Sequence, residues 1–197
     1  MTMFRLGLTG SIGMGKSATA RLFQDHGIPV WDADAAVHRL YAPGGAAVAP
    51  VSQLAPQALR GGGIDRGQLK TWIAASPDAM AQLEAVVHPL VAADRVEFLA
   101  KTRSDIVVLD IPLLFEKSYQ AEFDSVLLVT APPDVQRARV MARPGMTEAQ
   151  FLDILSRQMP DRDKRAKADH IIETLSERAA FHAVEALISY IRLKTDA

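Results

Sequence analysis

The chain has 197 residues, of which 49% are hydrophobic and 23% charged, with a formal net charge of -1, the proportions of a folded domain with a buried core. That balance argues against nucleic acid or an anionic membrane as the main partner, and no apolar run nears the ~18 residues of a membrane span. With no cysteine, disulfides, thiolate nucleophiles and cysteine-held metals are excluded; a soluble, cytoplasmic protein is expected, and nothing in the composition fixes an oligomeric state.

Residues 1–8 carry one basic residue and a short apolar run that enters a glycine-rich turn, so they read as a first strand and not as a leader. Phe4 to Thr9 is that strand, and Lys16 to His26 is a helix that stops at Gly27. Ile28 to Trp31 predicts a second strand, after which Asp32 and Asp34 lead into a helix carrying Val37, Leu40 and Tyr41. From Pro43 to Gly63 the composition shifts to Ala, Pro and Gly, which reads as the start of an inserted, all-helical module. Within it, Asp65 to Ala75 and Pro77 to Val87 predict two short helices, and His88-Pro89 is expected to open a longer one through Ala100.

Ile106 to Leu109 and Val126 to Val129 are continuous β-branched and leucine runs, the pattern of strands buried on both faces of a parallel sheet. Pro132 to Arg143 and Thr147 to Gln158 read as helices split by Pro144-Gly145, followed by a mixed-charge run, Asp161 to Arg165, expected on a solvated face. Asp169 to Ile172 predicts a last strand and Ser176 to Lys194 a final helix. Strands alternating with helices predict an α/β, three-layer P-loop fold with a parallel sheet.

Gly10-Ser11-Ile12-Gly13-Met14-Gly15-Lys16-Ser17 matches G-x-x-x-x-G-K-[ST] in full, between a predicted strand and a predicted helix, where the motif belongs. Its backbone N–H groups, with Ala18 continuing the turn into the helix, are suited to cradle the phosphates of ATP. Lys16 is expected on the β and γ phosphates and the Ser17 hydroxyl on Mg²⁺. A guanine-reading N-K-x-D loop is impossible, because the chain contains no asparagine. Asp32 and Asp34, two apart in what reads as an extended segment, are expected to point the same way. One is a candidate to accept the proton of an attacking hydroxyl, and the alternative for each is a helix N-cap.

Asp110 ends a predicted strand and is a candidate to hold Mg²⁺ through water or to orient a lysine or substrate. The following run, with Leu113, Leu114, Phe115 and Glu116, suits either a substrate wall or core packing. Arg139 and Arg143 lie on one helical face within a helix-Pro-Gly-helix segment that has the character of an arginine-bearing lid. His88 is open between a structural and a catalytic role. Lys164 and Asp169 are candidates to frame a nucleotide base.

In this order these segments resemble the dephospho-coenzyme A kinase family nearly end to end. The resemblance rests on Gly7 to Gly10 into Gly15-Lys16-Ser17, Asp32-Ala33-Asp34, Asp65-Arg66 with Leu69, Leu83-Glu84 with Val87-His88-Pro89, Asp110 to Glu116, Gln136 with Arg139 and Arg143, Gln158, and Ala168-Asp169. It implies ATP-dependent phosphorylation of the ribose 3′-hydroxyl of dephospho-CoA, with Asp34 as base, Lys16 and Ser17 serving ATP and Mg²⁺, and Arg139 and Arg143 in a lid. It further implies that Asp32, His88, Asp110, Leu113, Leu114 and Glu116 lie near the acceptor. Residues 1–33, 103–135 and 168–197 would form the P-loop core, 34–102 a CoA-binding module and 136–167 the lid. The chain departs from the family pattern at Ser11, where Gly is common, at Arg143-Pro144, and at Glu173-Thr174, where Asp-Asn is usual. Two other readings share the cradle: a nucleoside monophosphate kinase of adenylate kinase type, against which the scarcity of arginine between Asp34 and Val87 counts, and a non-catalytic P-loop switch.

Overall fold

A computed structural model describes residues 3–195; Met1 and Thr2, included above in the lead-in to the first strand, lie outside the described residues, as do 196 and 197. The described residues within Met1–Trp31 and Arg103–Ala197 form one compact unit, and Asp32–Thr102 form a second.

The first unit is built on a five-stranded sheet of β1 (Phe4–Thr9), β2 (Val30–Asp32, which ends at the boundary of the units), β5 (Ile106–Asp110), β6 (Ser125–Thr130) and β7 (His170–Glu173), in the order β2-β5-β1-β6-β7. β5 and β6 flank β1 in parallel, with Gly7 opposite Leu109 and Val126, and β7 runs parallel to β6. β5 and β6 are buried at every position, which is why their sequences are apolar runs without alternation. Helix α1 (Lys16–Asp25) and the last helix, α9 (Glu177–Thr195), pack on one face. Ala180, Val184, Leu187, Ile188 and Ile191 follow a helical stripe on α9 and join Leu6, Leu8, Val108, Leu127 and Val129 in one core. On the other face the segment after β5 closes over β1. A Cβ on Gly7 would stand 2.9 Å from both Leu114 and Phe123, so the chain there runs against bare backbone. Helices α6 (Pro133–Met141), α7 (Glu148–Ser156) and α8 (Asp161–Arg165) lie between β6 and β7. Thr147 and Gln150 form a capping box at the start of α7, and Arg137 pairs with Glu148 at 2.6 Å.

The second unit contains α2 (Ala33–Tyr41), α3 (Val48–Leu54), a hairpin of β3 (Leu59–Arg60) and β4 (Gly63–Ile64), α4 (Arg66–Ala75) and α5 (Ala79–Lys101). Its core gathers Leu40, Tyr41, Val51, Ile64, Leu69, Leu83 and Val87, and Arg39 grips Asp94 through two hydrogen bonds of 2.6 and 3.3 Å.

Three expectations are corrected here. The module is not all helical, because Gly61 and Gly62 both take positive φ, 55° and 80°, and so close a two-residue hairpin. His88-Pro89 does not open a helix: α5 runs unbroken from Ala79 to Lys101 with Pro89 inside it. The proline removes one helical N–H, and the buried stripe of Ala79, Leu83 and Val87 holds the turn before it. The charged run Asp161 to Arg165 is a short helix whose Lys164 is completely buried, against the solvated face its composition suggested.

Two measurements check this architecture. Leu127 is fully buried in a central strand, and Leu127→Ala is expected to lower the unfolding free energy by about 3 kcal/mol in denaturant titration. Asp105, just before β5, accepts from Arg192 of α9 at 2.6 Å, and that hydrogen bond, against a smaller desolvation effect, holds its carboxyl below the usual Asp range. A depressed folded-state pKa stabilises above the unfolded pKa and is lost as pH falls through the folded one. Asp105→Asn should therefore cost about 0.5 kcal/mol at pH 7, a surface-pair magnitude, and the difference from wild type should vanish in acid.

Candidate active site

The site begins where β1 ends and α1 begins. Gly10 leaves the sheet against the Val129 carbonyl, which would lie 2.7 Å from an added Cβ. The chain then turns through Gly13 and Gly15 with φ of 77° and 92°, a region open to glycine and strained for other residues. Both glycines are also crowded: a Cβ on Gly13 would meet Val140 at 2.6 Å, and one on Gly15 would meet the Thr174 hydroxyl at 2.8 Å. The turn is thus fixed by its own dihedrals and by walls from α6 and the end of β7. Within it, Met14 N–H donates to Ser11 O at 3.1 Å and Thr19 N–H to Gly15 O at 3.0 Å.

Side chains from three later segments hold this loop from outside. Gln136 of α6, buried, donates to the Ile12 carbonyl at 2.8 Å. Gln158, which follows α7, accepts from Ile12 N–H at 3.1 Å. The buried Thr174 hydroxyl donates to Met14 O at 2.8 Å and accepts from Arg139 at 2.9 Å. The Met14 sulfur accepts from Ala131 N–H at 3.0 Å. Sequence reasoning gave Gln136 and Gln158 no role and marked Thr174 only as part of a departure from the family pattern. A glutamine of an amphipathic helix carries no signal that distinguishes a solvent-facing amide from one bonded to a distant backbone.

At the mouth of the loop the Lys16 ammonium pairs with the Asp110 carboxylate at the end of β5. Asp110 is 1% exposed and Lys16 15%, so the pair sits in a setting where charges are weakly screened and each ion depends on the other. Ser17 and Ala18, in the first turn of α1, are exposed. Backbone donors, the positive end of a helix and a lysine together form an anion cradle.

The other predicted site residues fall as follows. Asp32 caps α2, accepting from Ala35 N–H at 3.0 Å, and Asp34 is exposed in the first turn of that helix. The expectation that both sit on one extended segment is corrected, because the helix starts at Ala33. His88 is half exposed, 3.9 Å from Glu84 one turn away on α5. Leu114 and Phe115 are core residues with 0 and 1% exposure, whereas Leu113 is open at 38%. The substrate-wall reading of Leu114 is corrected, since Leu114 packs beneath Gly7. Glu116 is turned inward, accepting from Met159 N–H at 2.8 Å. Arg139 bonds Thr174 through both its Oγ and its carbonyl, and Arg143 is exposed beyond the end of α6. Asp169 accepts from Val126 N–H at 2.7 Å and Lys164 is buried, so the expectation that the two frame a base gives way to roles inside the fold.

Among the described residues no group of three or more His, Cys, Asp or Glu could hold a metal ion, and none of the helices is long and apolar enough to cross a membrane.

Comparison with known proteins bears directly on this cradle. The family model described as dephospho-CoA kinase matches residues 4–179. A curated dephospho-CoA kinase of Cereibacter sphaeroides is 68% identical over 197 residues, covering 100% of both chains. Among solved structures, the protein TT1252 of Thermus thermophilus is 34% identical with a TM-score of 0.85, over 96% of this chain and 98% of that one. The dephospho-CoA kinase of Campylobacter jejuni shares the fold at 21% identity and a TM-score of 0.66, over 95% of this chain and 96% of the other. Full-length identity sets aside the adenylate-kinase-type and regulatory-switch readings that the loop alone left standing. This chain is a phosphotransferase that belongs to the dephospho-CoA kinase family.

Proposed function

We propose that the kinase transfers the γ-phosphoryl of ATP to the ribose 3′-hydroxyl of dephospho-CoA, with the loop from Gly10 to Ala18 as the phosphate cradle and Asp34 as the base. The observation that carries this is the preformed turn with Lys16 held by Asp110 at its mouth. In phosphoryl transfer the protein contributes mainly position and charge. The backbone N–H groups at the start of α1 donate to the phosphates, and Lys16 exchanges its contact with Asp110 for the β and γ oxygens. Arg139 and Arg143 neutralise charge on the transferring group from the lid side, for which a planar guanidinium is suited.

The Ser17 hydroxyl and the Asp110 carboxylate are hard oxygen donors, the kind Mg²⁺ takes alongside phosphates and its own waters, so these residues fit the ion. When bound, Mg²⁺ neutralises charge on the β and γ phosphates. With Lys16 on phosphate, the Asp110 carboxylate would be available, alongside Ser17, to hold that ion through water.

Asp34, exposed in the first turn of α2 while Asp32 spends its carboxylate on the cap, accepts the proton of the attacking hydroxyl. The unit from Asp32 to Thr102 binds the CoA moiety, with His88 on the acceptor side and Leu113 as an apolar contact. The segment 136–167 serves as the lid. The absence of cysteine and the place of the reaction in coenzyme A synthesis suit the cytoplasm.

Lys16→Ala and Asp34→Ala separate the roles. Asp34→Ala is expected to lower kcat by about 10²–10⁴, the usual worth of a general base, with ATP affinity by calorimetry near wild type. Lys16→Ala should lose both rate and ATP affinity, and chelation of Mg²⁺ should stop turnover in every variant. An Asp34→Ala enzyme with wild-type kcat would remove the base assignment.

A further inference from the structure

Lys164 has no exposed surface at all, and a buried ammonium costs several kcal/mol unless an anion answers it. Its Nζ lies 2.9 Å from Glu116 Oε1. That same oxygen accepts from Met159 N–H at 2.8 Å, and among the described residues neither Nζ nor Glu116 Oε2 has a hydrogen-bond partner. The pair therefore contributes less than an ideal ion pair to stability, and packing alone would favour an apolar residue at either place. What it does is geometric. Glu116 clamps two points of the stretch that follows α7, Met159 and Lys164, and the residue before Met159 is Gln158, whose carboxamide caps Ile12 N–H. A third anchor closes the stretch: Asp161 accepts from the Thr130 hydroxyl at 2.9 Å and pairs with Arg165 at 2.7 Å.

We propose that Lys164, with Glu116 as its buried counter-ion, is a positioning residue for ATP binding that acts through Gln158 on the phosphate loop. Gln158 accepts a hydrogen bond from Ile12 N–H, and Gln136 donates one to the Ile12 carbonyl. The residue at the top of the loop is thereby engaged through both its backbone groups. Neither can rotate toward the anion site, and the loop is held open between visits of the nucleotide, which lowers the ordering cost of binding. Glu116, with Lys164 as the cation that answers its charge, accepts from Met159 N–H and so fixes the turn that delivers Gln158. The proposal rests on the reading of Gly10 to Ser17 as the ATP cradle.

The test compares Gln158→Met, Lys164→Met, their double variant and the charge-neutral pair Glu116→Gln/Lys164→Met, with wild type measured alongside. ATP affinity by calorimetry without acceptor, and KM and kcat with dephospho-CoA, are read well below each protein's melting temperature. Gln158→Met and Lys164→Met should each weaken ATP binding about tenfold, one decade being the worth of one positioned hydrogen bond. The KM for dephospho-CoA should change less than about twofold and kcat less than about threefold, as expected when binding and not the chemical step is touched. The Gln158→Met/Lys164→Met variant should be no weaker than either single, because both break one chain of contacts. The neutral pair keeps an acceptor for Met159 N–H, leaves no orphaned charge, and should recover ATP affinity to within about threefold of wild type.

Additive losses, or a Lys164→Met enzyme with lowered melting temperature and wild-type ATP affinity, would reduce the pair to a packing role and overturn the proposal. So would a neutral pair that recovers melting temperature but stays tenfold weak, since the charge would then act on the nucleotide itself. If Lys164→Met does not fold, Gln158→Met and the neutral pair carry the same test. A wild-type protein that binds ATP but leaves dephospho-CoA unphosphorylated would undo the assigned reaction and leave this proposal standing.

Discussion

A loop that points several N–H groups at one place repels itself when nothing is bound there, and the rest of this structure depends on holding such a loop open. Eight residues from Gly10 to Ser17 make few hydrogen bonds among themselves. Their shape comes from left-handed glycines at 13 and 15 and from walls that leave no room for a side chain at either position. It comes equally from amides and hydroxyls of Gln136, Gln158 and Thr174, more than 120 residues away in sequence. A cradle braced in this way is preorganised: binding spends its energy on the phosphates and not on ordering the turn.

Charge follows the same logic. Lys16 lies largely out of water, and the Asp110 carboxylate at the end of the interior strand β5 answers its charge and aims it. The sheet order makes this possible, since β5 pairs directly with β1 and brings Leu8 opposite Asp110 in register. Glu116, six residues on, repeats the device with Lys164. The segment between Asp110 and Glu116 is thus tied at both ends by buried ion pairs, and packed in its middle by Leu114 and Phe115.

Much of this was legible in the chain. The P-loop motif announces itself, because glycine, lysine and serine at that spacing between a strand and a helix have few other uses. The apolar runs of β5 and β6 could be read as doubly buried strands for the same reason that they are apolar: no face meets water. The misses have physical causes. Pro89 looked like a helix start because proline is tolerated in a first turn, and only tertiary packing of Leu83 and Val87 carries α5 through it. Gly61-Gly62 looked like a break between helices, although two consecutive glycines also fit a tight hairpin. Lys164 stood in a run of charges that composition assigns to water, and its burial depends on Glu116, 48 residues earlier, which no local pattern reveals. Family resemblance named the reaction and several of its residues, but it gave Gln158, Thr174 and Lys164 no mechanical part.

The loop's preformed state can be observed directly by backbone amide hydrogen exchange in the nucleotide-free protein. Ile12 N–H, bonded to Gln158, and Met14 N–H, bonded to Ser11, should exchange at least about a hundredfold more slowly than the same amides in an unfolded chain, as expected for hydrogen-bonded groups in a closed structure. Exchange of both at the unfolded-chain rate, with protection appearing only on addition of ATP, would show that the nucleotide builds the cradle and contradict the account.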